Sequence, residues 1–228
     1  AMTRVFNHHE FSEFSALYDG EGAGFPAVPG LCTEFMGASI HFFQHIDSTS
    51  IKAFDLAQEG AKEGTAVIAE SQSGGKGRRG RAWHSPEGKN IYTSVILRPS
   101  LAPQEASRLT LVFAVALAET LSSFIENPGE RVRIKWPNDV LLGTRKCAGI
   151  LTEMKCSGNK VDYVVTGIGV NINMSASHMP ADLSSLAASL AMERGKKISR
   201  AAVLHALYTH MELSLIHISE PTRLRRTS

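Results

Sequence analysis

The segment KCAGILTEMKCSGNKVDYVVTGIGV, residues 146–170, carries the clearest fold signal in the chain. Apolar and β-branched residues dominate its two halves, which predicts strands over Lys146–Met154 and Val161–Val170. The polar run Ser157-Gly158-Asn159-Lys160 between them predicts a hairpin turn. We therefore expect these two strands to pair in opposite directions within one sheet.

Similar patterns continue on both sides of this segment. Further strands are predicted at Ile40–Ile46, Thr65–Glu70, Ile91–Arg98 and Val132–Lys135. Helices are predicted at Ile51–Glu59, along the apolar spacing from Leu109 to Phe124, and at Leu183–Glu193 and Ser199–Leu213. Because strands and helices are interspersed without a strict βαβα alternation, the sequence predicts an α+β fold with a mixed or antiparallel sheet flanked by helices.

Composition and charge restrict the class of protein. The 228 residues carry 24 Lys and Arg against 22 Asp and Glu, and the small excess comes from three arginines near the C-terminal end, Arg223, Arg225 and Arg226. The rest of the chain is close to neutral, which argues against a nucleic-acid partner. The longest uninterrupted apolar run, Leu111–Ala118, has eight residues. A bilayer span needs about 20, so no membrane segment is expected.

The three cysteines, Cys32, Cys147 and Cys156, are odd in number and lack the spacing of a zinc site. We expect them to be free or buried thiols. Such thiols are typical of a reducing compartment, so the sequence predicts a cytoplasmic protein.

The most basic loop of the chain is Gly75-Lys76-Gly77-Arg78-Arg79-Gly80-Arg81. It formally matches the dinucleotide-binding pattern GxGxxG, but Pro86 and Gly88 downstream argue against the helix that this pattern requires. Its glycine N–H groups and four cations could hold an anionic ligand. A solvated basic loop and a site for nucleic-acid phosphates are the alternatives.

A second motif, Lys135-Trp136-Pro137-Asn138-Asp139, follows a predicted strand. Pro137 favours an extended Trp136, so Lys135 should stay on the strand while Asn138 and Asp139 enter a turn. Lys135 is then either an ordinary surface charge or a point charge that holds a carboxylate.

The third motif is Gly167-Ile168-Gly169-Val170-Asn171, at the end of an apolar strand. It is either an ordinary strand end that packs closely or a second place where backbone approaches a ligand. In the latter case the amide of Asn171 could bind a phosphate.

Taken in order, these segments resemble the biotin protein ligase family over roughly residues 40–210. The matching motifs are Asp47-Ser48-Thr49-Ser50, the Gly75–Arg81 loop ending at Trp83, Lys135–Asp139, Ala148-Gly149-Ile150-Leu151 and Gly167–Asn171. The resemblance implies the class II synthetase-like fold of biotin and lipoate ligase catalytic domains. Lipoate ligases share that fold but lack the Gly–Arg loop.

The resemblance also implies an activity. Biotin and ATP, with Mg²⁺, would form biotinyl-5′-AMP, and the biotinyl group would then pass to a lysine of a biotin carboxyl carrier protein. Homodimers occur in the family. A biotin-binding or nucleic-acid-binding module without catalysis, and a lipoate ligase-like acyltransferase, remain as alternatives.

Site residues follow from the matching motifs. The resemblance implies catalytic roles for Arg78 and Lys135, and no metal ligands from protein side chains. Biotin would be bound by Ser48, Thr49, Ser50, Gln72, Lys76, Gly77, Arg78, Lys135 and Gly149. ATP and the adenylate would be bound by Gly75, Arg78, Arg81, Asn138 and Asn171.

The resemblance also implies a domain organisation. Residues 1–39 form an N-terminal lead-in with no helix-turn-helix domain, and residues 40–213 form the catalytic domain. Residues 214–228 look like a non-native tail where the family usually has an SH3-like domain. Ser50 and Lys76 replace the Asn and Arg that are frequent in the family, and Lys76 lacks the bidentate fork of an arginine.

Overall fold

A computed structural model describes residues 3–19 and 30–219; for residues 218 and 219 it describes the backbone alone. Its strands are β1 Thr3–Asn7, β2 Ser39–Ile46, β3 Ala66–Gln72, β4 Ile91–Leu97, β5 Val132–Lys135, β6 Asp139–Leu142, β7 Arg145–Ser157 and β8 Lys160–Val170. Its α-helices are α1 Phe11–Asp19, α2 Thr49–Gln58, α3 Pro103–Ala106, α4 Leu109–Ser123, α5 Leu190–Arg194 and α6 Arg200–Ser219.

The strands of the described residues form one eight-stranded sheet in the order β1-β2-β3-β4-β8-β7-β6-β5. The β2–β3 pair is parallel, and every other neighbouring pair in this order is antiparallel. The predicted β7–β8 hairpin is confirmed, with Gly149 opposite Gly169 and Gly158 in the turn at φ +62°. The predicted α+β fold with a mixed sheet flanked by helices is therefore confirmed.

Helices cover both faces of the sheet. On one face, α1, α4 and α6 contribute to a large apolar core that includes Phe14, Phe113, Ile150 and Tyr208. On the other face, α2 lies over β3, β4 and β8, and its Ala53 packs in a smaller apolar cluster. The first turn of α2, with Thr49 and Ser50, lies beside Gly149, Gly167 and Gly169 of β7 and β8.

The helix predicted from Leu109 to Phe124 is confirmed as α4. Together with α3 it forms an apolar segment, Pro103–Ser123, that is long enough by length and composition alone to cross a membrane. However, Leu109, Phe113, Leu117 and Leu121 are buried in the large core. Such burial is typical of a core helix.

The N-terminal residues are more ordered than the sequence indicated. No strand or helix was predicted before Ile40, yet β1 pairs with β2 at the edge of the sheet and α1 buries Phe11, Phe14 and Tyr18. The spacing of these three apolar residues is that of a helix. The Gly- and Pro-rich residues 20–29 lie outside the described residues.

Two boundaries near the C-terminus also differ from expectation. The helix predicted at Leu183–Glu193 is only the short α5, because Ser189 caps it by accepting a hydrogen bond from the Met192 N–H at 3.1 Å. The last helix runs beyond the predicted Leu213 to Ser219. That residues 214–228 are non-native stays a prediction, and residues 220–228 lie outside the described part.

Candidate active site

A small pocket, partly open to solvent, lies on the α2 face of the sheet. Three parts of the chain surround it: the first turn of α2, the Gly–Arg loop and the adjacent strands β7 and β8. Its lining residues are Thr49, Ser50, Gln72, Lys76, Gly77, Arg78, Trp83, Tyr92, Asn138, Lys146, Gly149, Ile150, Leu151, Gly167, Ile168 and Gly169. Eight of the residues predicted for the site are therefore brought together: Thr49, Ser50, Gln72, Lys76, Gly77, Arg78, Asn138 and Gly149.

Three glycines on β7 and β8 leave room for the side chains that shape the pocket. A Cβ on Gly169 would lie 2.4 Å from the indole of Trp83, and a Cβ on Gly149 would lie 3.0 Å from the same ring. A Cβ on Gly167 would lie 2.6 Å from the Oγ of Ser50. The glycines therefore allow Trp83 and Ser50 to rest directly against the sheet.

A cluster of hydrogen-bonding side chains forms one end of the pocket. The Oε1 of Gln72 accepts from the Thr49 N–H at 2.9 Å and from the Thr49 hydroxyl at 3.1 Å. The hydroxyl of Ser94 donates to Thr49 Oγ1 at 2.8 Å and lies 3.2 Å from Ser50 Oγ. The Gln72 amide nitrogen donates to Ser85 Oγ at 3.0 Å. Such a cluster offers several donors and acceptors to a polar, uncharged group.

Ser48 lies next to this cluster but does not line the pocket. It occupies the N-cap position of α2 without making a side-chain cap bond. Its hydroxyl is buried and has no hydrogen-bond partner among the described residues. The predicted contact between Ser48 and a ligand therefore stays a prediction.

The Gly–Arg loop folds back on itself rather than opening a long helix. Residues 78–80 form one 3₁₀ turn, with Arg79 at φ 57° and Gly80 at φ +72°. The Gly77 N–H donates to the Arg81 carbonyl at 2.7 Å and closes the turn. The expectation that no dinucleotide-binding helix starts here is confirmed.

This turn sends its cations in different directions. All four cations are exposed, but only Lys76 and Arg78 line the pocket. Gly75 is buried beneath the loop, where its carbonyl accepts from the Trp83 N–H at 2.8 Å. The predicted nucleotide-binding positions Gly75 and Arg81 are therefore outside the pocket lining.

Arg78 connects the Gly–Arg loop to the turn after β5. Its Nη1 donates to Oδ1 of Asn138 at 2.9 Å. Asn138 is itself fixed, because its Nδ2 donates to the Ile150 carbonyl at 3.1 Å and its own carbonyl accepts from the Ile150 N–H at 2.9 Å. Two of the matching motifs thus meet over β7.

A second lysine in the pocket lining, Lys146, was not predicted. Its Nζ lies 2.7 Å from Oδ1 of Asp139 and 5.0 Å from the centroid of the Trp83 ring. In the β6–β7 ladder Val140 pairs with Ala148 but Leu141 pairs with Lys146, so Cys147 is an extra, bulged residue. A one-residue shift reverses the side on which a side chain points, and Lys146 therefore shares a face with Gly149.

Lys135, which was predicted to be catalytic, is exposed and does not line the pocket. The ladder nevertheless places it on the pocket's face of the sheet. Lys135 is opposite Asp139, and Asp139 is opposite Gly149. Directly opposite residues of antiparallel strands point to the same side. The same ladder corrects the expectation that Asp139 belongs to a turn, because Asp139 begins β6.

Asn171, predicted to bind a phosphate, is buried in a structural role. Its Nδ2 donates to the Ala188 carbonyl at 3.1 Å, and its Oδ1 accepts from the Asn90 amide at 3.4 Å. It does not line the pocket. Each amide atom therefore has one protein partner and capacity for one more hydrogen bond, so the contact of Asn171 with the adenylate stays a prediction.

Tyr92 and Trp83 complete the pocket and were not predicted as site residues. The Tyr92 hydroxyl donates to the Pro86 carbonyl at 3.0 Å, and burial raises the pKa of this phenol, so it stays neutral. The buried indole Nε1 of Trp83 has no hydrogen-bond partner within the described chain. Trp83 closes one of the matching motifs, and this place in the sequence is the signal that could have identified it as a site residue. Tyr92 lies on a strand with no distinguishing pattern.

The described residues contain no group of three or more His, Cys, Asp or Glu side chains that could hold a metal ion. The charged residues of the pocket lining are instead three cations, Lys76, Arg78 and Lys146. The arrangement combines a hydrogen-bonding end, a glycine-lined floor and a cationic end, which suits a ligand that is polar at one end and anionic at the other.

Comparisons with known proteins agree with this geometry. The profile of the biotin/lipoate A/B protein ligase family matches residues 42–171. The chain is 42% identical to bifunctional ligase/repressor BirA of Bacillus subtilis (strain 168) over 175 residues, which make up 77% of this chain and 53% of that protein. It is 44% identical to biotin–[acetyl-CoA-carboxylase] ligase of Paracoccus denitrificans over 126 residues, 55% of this chain and 51% of that protein. The chain thus spans about half the length of these curated relatives.

A solved structure gives the same result for the fold. Biotin protein ligase from Aquifex aeolicus, in complex with biotin and ATP, matches with a TM-score of 0.67 and 30% sequence identity, covering 80% of this chain and 72% of that one. The resemblance noted from the motifs is therefore confirmed. With its fold and more than half of its length matching, the chain belongs to the biotin/lipoate A/B protein ligase family, among the biotin protein ligases.

Proposed function

We propose that this protein activates biotin with ATP as biotinyl-5′-AMP and transfers the biotinyl group to a lysine of a biotin carboxyl carrier protein. The names of the relatives support biotin as the acid, and one similar structure contains biotin and ATP. The intermediate, the carrier and a cytoplasmic location are parts of the proposal, as is any homodimer.

One observation carries the proposal: the Thr49–Ser50–Gln72 cluster and the cations Lys76, Arg78 and Lys146 face one pocket. The ureido ring of biotin has N–H donors and a carbonyl acceptor and is uncharged, so it suits the cluster. The carboxylate at the far end of biotin, and the phosphates of ATP, suit the cations.

The first step joins two negatively charged groups. A biotin carboxylate oxygen attacks the α-phosphorus of ATP, the bond to the β,γ-pyrophosphate breaks, and pyrophosphate leaves. Repulsion between the carboxylate and the phosphates opposes this approach, so preorganised cations lower the barrier. We assign this electrostatic role to Arg78, which Asn138 holds in place, with Lys76 beside it.

Mg²⁺ is proposed as the ion that accompanies ATP. This ion is commonly bound by substrate phosphates with one or two carboxylates, and it would neutralise phosphate charge. The Asp139 carboxylate is already paired with Lys146. We therefore propose that the triphosphate, rather than a set of protein side chains, carries the ion.

The second step needs no protein nucleophile. The amine of the target lysine attacks the carbonyl carbon of the mixed anhydride, the bond to the phosphate oxygen breaks, AMP leaves, and the amine loses a proton. The anhydride also reacts with water. The Gly–Arg loop and Trp83 cover one side of the pocket, where they would limit hydrolysis and escape of the adenylate.

Biotin-dependent exchange of labelled pyrophosphate into ATP tests the first step. Purified protein at saturating biotin should catalyse exchange, and exchange should cease when biotin is withheld. Absence of exchange with folded protein would contradict the proposal. Biotinylation of an added carrier domain, measured in parallel, tests the transfer step. The two steps are measured separately because the chain spans about half the length of its curated relatives.

The alternative functions have less support. A nucleic-acid-binding module would bind with a steep salt dependence, whereas binding of biotin, which carries a single charge, should respond little to salt. A lipoate ligase-like enzyme would catalyse pyrophosphate exchange with lipoate in place of biotin. The Paracoccus denitrificans relative and the solved Aquifex aeolicus structure are both named for biotin, so lipoate is not favoured.

A further inference from the structure

We propose that Ser85 is a positioning residue for biotin recognition. It fixes the side-chain amide of Gln72, and this amide sets which groups of the pocket donate hydrogen bonds to a ligand and which accept them. Ser85 is buried and does not line the pocket, so it acts through Gln72 rather than on the ligand. The inference rests on the proposed function, because it assigns a role behind the same biotin pocket.

Ser85 is held against Gln72 by main chain and side chain. The Gln72 N–H donates to the Ser85 carbonyl at 3.4 Å, and the Gln72 Nε2 donates to Ser85 Oγ at 3.0 Å. The Ser85 hydroxyl in turn donates to the Trp83 carbonyl at 2.9 Å. A hydroxyl has a single hydrogen. Because the Trp83 carbonyl binds that hydrogen, Ser85 Oγ can only accept from Gln72.

Gly75 leaves the space in which these groups meet. A Cβ there would lie 2.6 Å from the Trp83 carbonyl oxygen, 2.8 Å from Ser85 Oγ and 3.0 Å from Gln72 Nε2. All three polar atoms therefore converge where the chain carries no side chain. Contacts this close leave the Ser85 hydroxyl little room to turn away from its two partners.

The other end of the Gln72 amide is fixed by Thr49. The Gln72 Oε1 accepts from the Thr49 N–H at 2.9 Å and from the Thr49 hydroxyl at 3.1 Å. A rotated amide would bring its NH₂ group against the Thr49 N–H, so that two donors would face each other. A single orientation of the amide therefore satisfies both Thr49 and Ser85.

The same direction continues through the hydroxyl groups. Thr49 gives its one hydroxyl hydrogen to Gln72 and accepts from the Ser94 hydroxyl at 2.8 Å. The hydrogen of Ser94 is then engaged, so in the 3.2 Å contact with Ser50 it is Ser50 that donates. The oxygens of Thr49 and Ser50 are thus left as acceptors, and the second N–H of Gln72 Nε2 is left as a donor.

This pattern of donors and acceptors complements a cyclic urea. Thr49, Ser50 and Gln72 all line the pocket. The ureido ring of biotin offers N–H donors to the acceptor oxygens and a carbonyl to the Gln72 donor. A dithiolane ring such as that of lipoate has no N–H group and would leave the acceptors unpaired, which disfavours its binding. The orientation that Ser85 fixes therefore favours biotin.

Biotin binding measured by calorimetry, and the kinetics of biotin-dependent pyrophosphate exchange, test this role. In Ser85→Ala the Gln72 N–H loses its buried acceptor, and biotin affinity should fall by about tenfold. The KM for biotin should rise by a similar factor, whereas kcat and the KM for ATP should change by less than about twofold. Ser85→Thr, which keeps the hydroxyl, should recover most of the affinity.

A double-mutant cycle with Gln72→Ala separates positioning from general support of the loop. If Ser85 acts through Gln72, adding Ser85→Ala to Gln72→Ala should weaken biotin by less than about a further twofold. A serine that only supports the loop would cost the same factor in both backgrounds.

Ser15→Ala is the matched control. Ser15 is also a buried serine, and its hydroxyl donates to the Ser12 carbonyl at 2.9 Å. It belongs to α1, on the opposite face of the sheet from the pocket, so this variant should leave biotin affinity unchanged.

Three results would overturn the role of Ser85: unchanged biotin binding in Ser85→Ala, independent losses in the double variant, and no recovery in folded Ser85→Thr. Circular dichroism reports folding. Should Ser85→Ala not fold, Ser85→Cys makes the same test, because a thiol is only a weak acceptor. Failure of the proposed function gives a different result, since the unmodified protein would then not bind biotin at all.

Discussion

Arg200, the first residue of α6, is joined to Glu70 of β3 by two hydrogen bonds. Its Nη1 donates to Oε2 at 2.8 Å and its Nη2 donates to Oε1 at 3.0 Å. Both side chains are buried, and the guanidinium also lies 4.1 Å from the centroid of the Tyr18 ring. This contact joins α1, α6 and the strand that leads into the Gly–Arg loop.

The first prediction concerns this ion pair. Arg200→Met should lower the free energy of unfolding by about 3–5 kcal/mol, because the Glu70 carboxylate would remain buried without its partner. Chemical denaturation measures the change. The control is Arg194→Met, whose partner Glu126 is exposed, and it should cost less than about 1 kcal/mol.

The same variant should show a pH signature. Burial raises the pKa of Glu70, and in the unmodified protein the charge of Arg200 opposes that rise. Without Arg200, the pKa in the folded state rises further above its unfolded value. An acid with a raised folded pKa favours folding at low pH and loses that contribution as pH rises through the folded pKa. The deficit of Arg200→Met should therefore be larger at pH 7.5 than at pH 5; an equal deficit would exclude this explanation.

The second prediction concerns the glycine floor of the pocket. In Gly169→Ala the new Cβ would lie 2.4 Å from the Trp83 indole, so the ring must move. We expect biotin affinity to fall by about tenfold, measured by calorimetry. Gly129→Ala is the control, because a Cβ there meets nothing within 4 Å. Unchanged affinity in Gly169→Ala would show that the position of Trp83 does not matter for the ligand.

The third prediction separates two neighbouring arginines. Both are exposed, but Arg78 lines the pocket and Arg79 does not. Arg79 has φ 57°, a conformation that glycine adopts readily. Arg78→Gly should speed release of the adenylate by about 10- to 100-fold through loss of charged hydrogen bonds, detected as biotinylation of lysines on a bystander protein. Arg79→Gly should behave like the unmodified protein. Equal release from both variants would remove the proposed role of Arg78.

The fourth prediction concerns the buried thiol of the β7 bulge. Burial, and after it the charge of Glu193, raise the pKa of Cys147 to about 12. Since the thiolate is the reactive form, Cys147 should resist iodoacetamide at pH 8 in folded protein. Exposed Cys32 should be modified under the same conditions. Peptide mass spectrometry measures both, and rapid labelling of Cys147 before unfolding would contradict the packing of the bulge.

Much of the fold could be predicted because its signals are local. The β7–β8 hairpin is encoded in apolar runs around a polar turn, and α4 in apolar residues at helical spacing. The ordered motifs also identified Thr49, Gln72, Arg78 and Gly149 as one site, and the structure brings these four residues together. Periodicity and motif order are properties of the linear chain, so no contact had to be known in advance.

Other features depended on contacts between distant segments. The bulge at Cys147 turns Lys146 into the pocket, but the bulge exists only because β6 pairs with β7 in a particular register. Lys135 remained exposed because β5 is the last strand of the sheet. Asn171 was fixed by Ala188 and Asn90, which bind its amide. Amino-acid order determined the strands, the helices and the chemistry available to the site. Pairing register and hydrogen-bond partners, which arise only when remote segments pack, determined which side chains share the pocket.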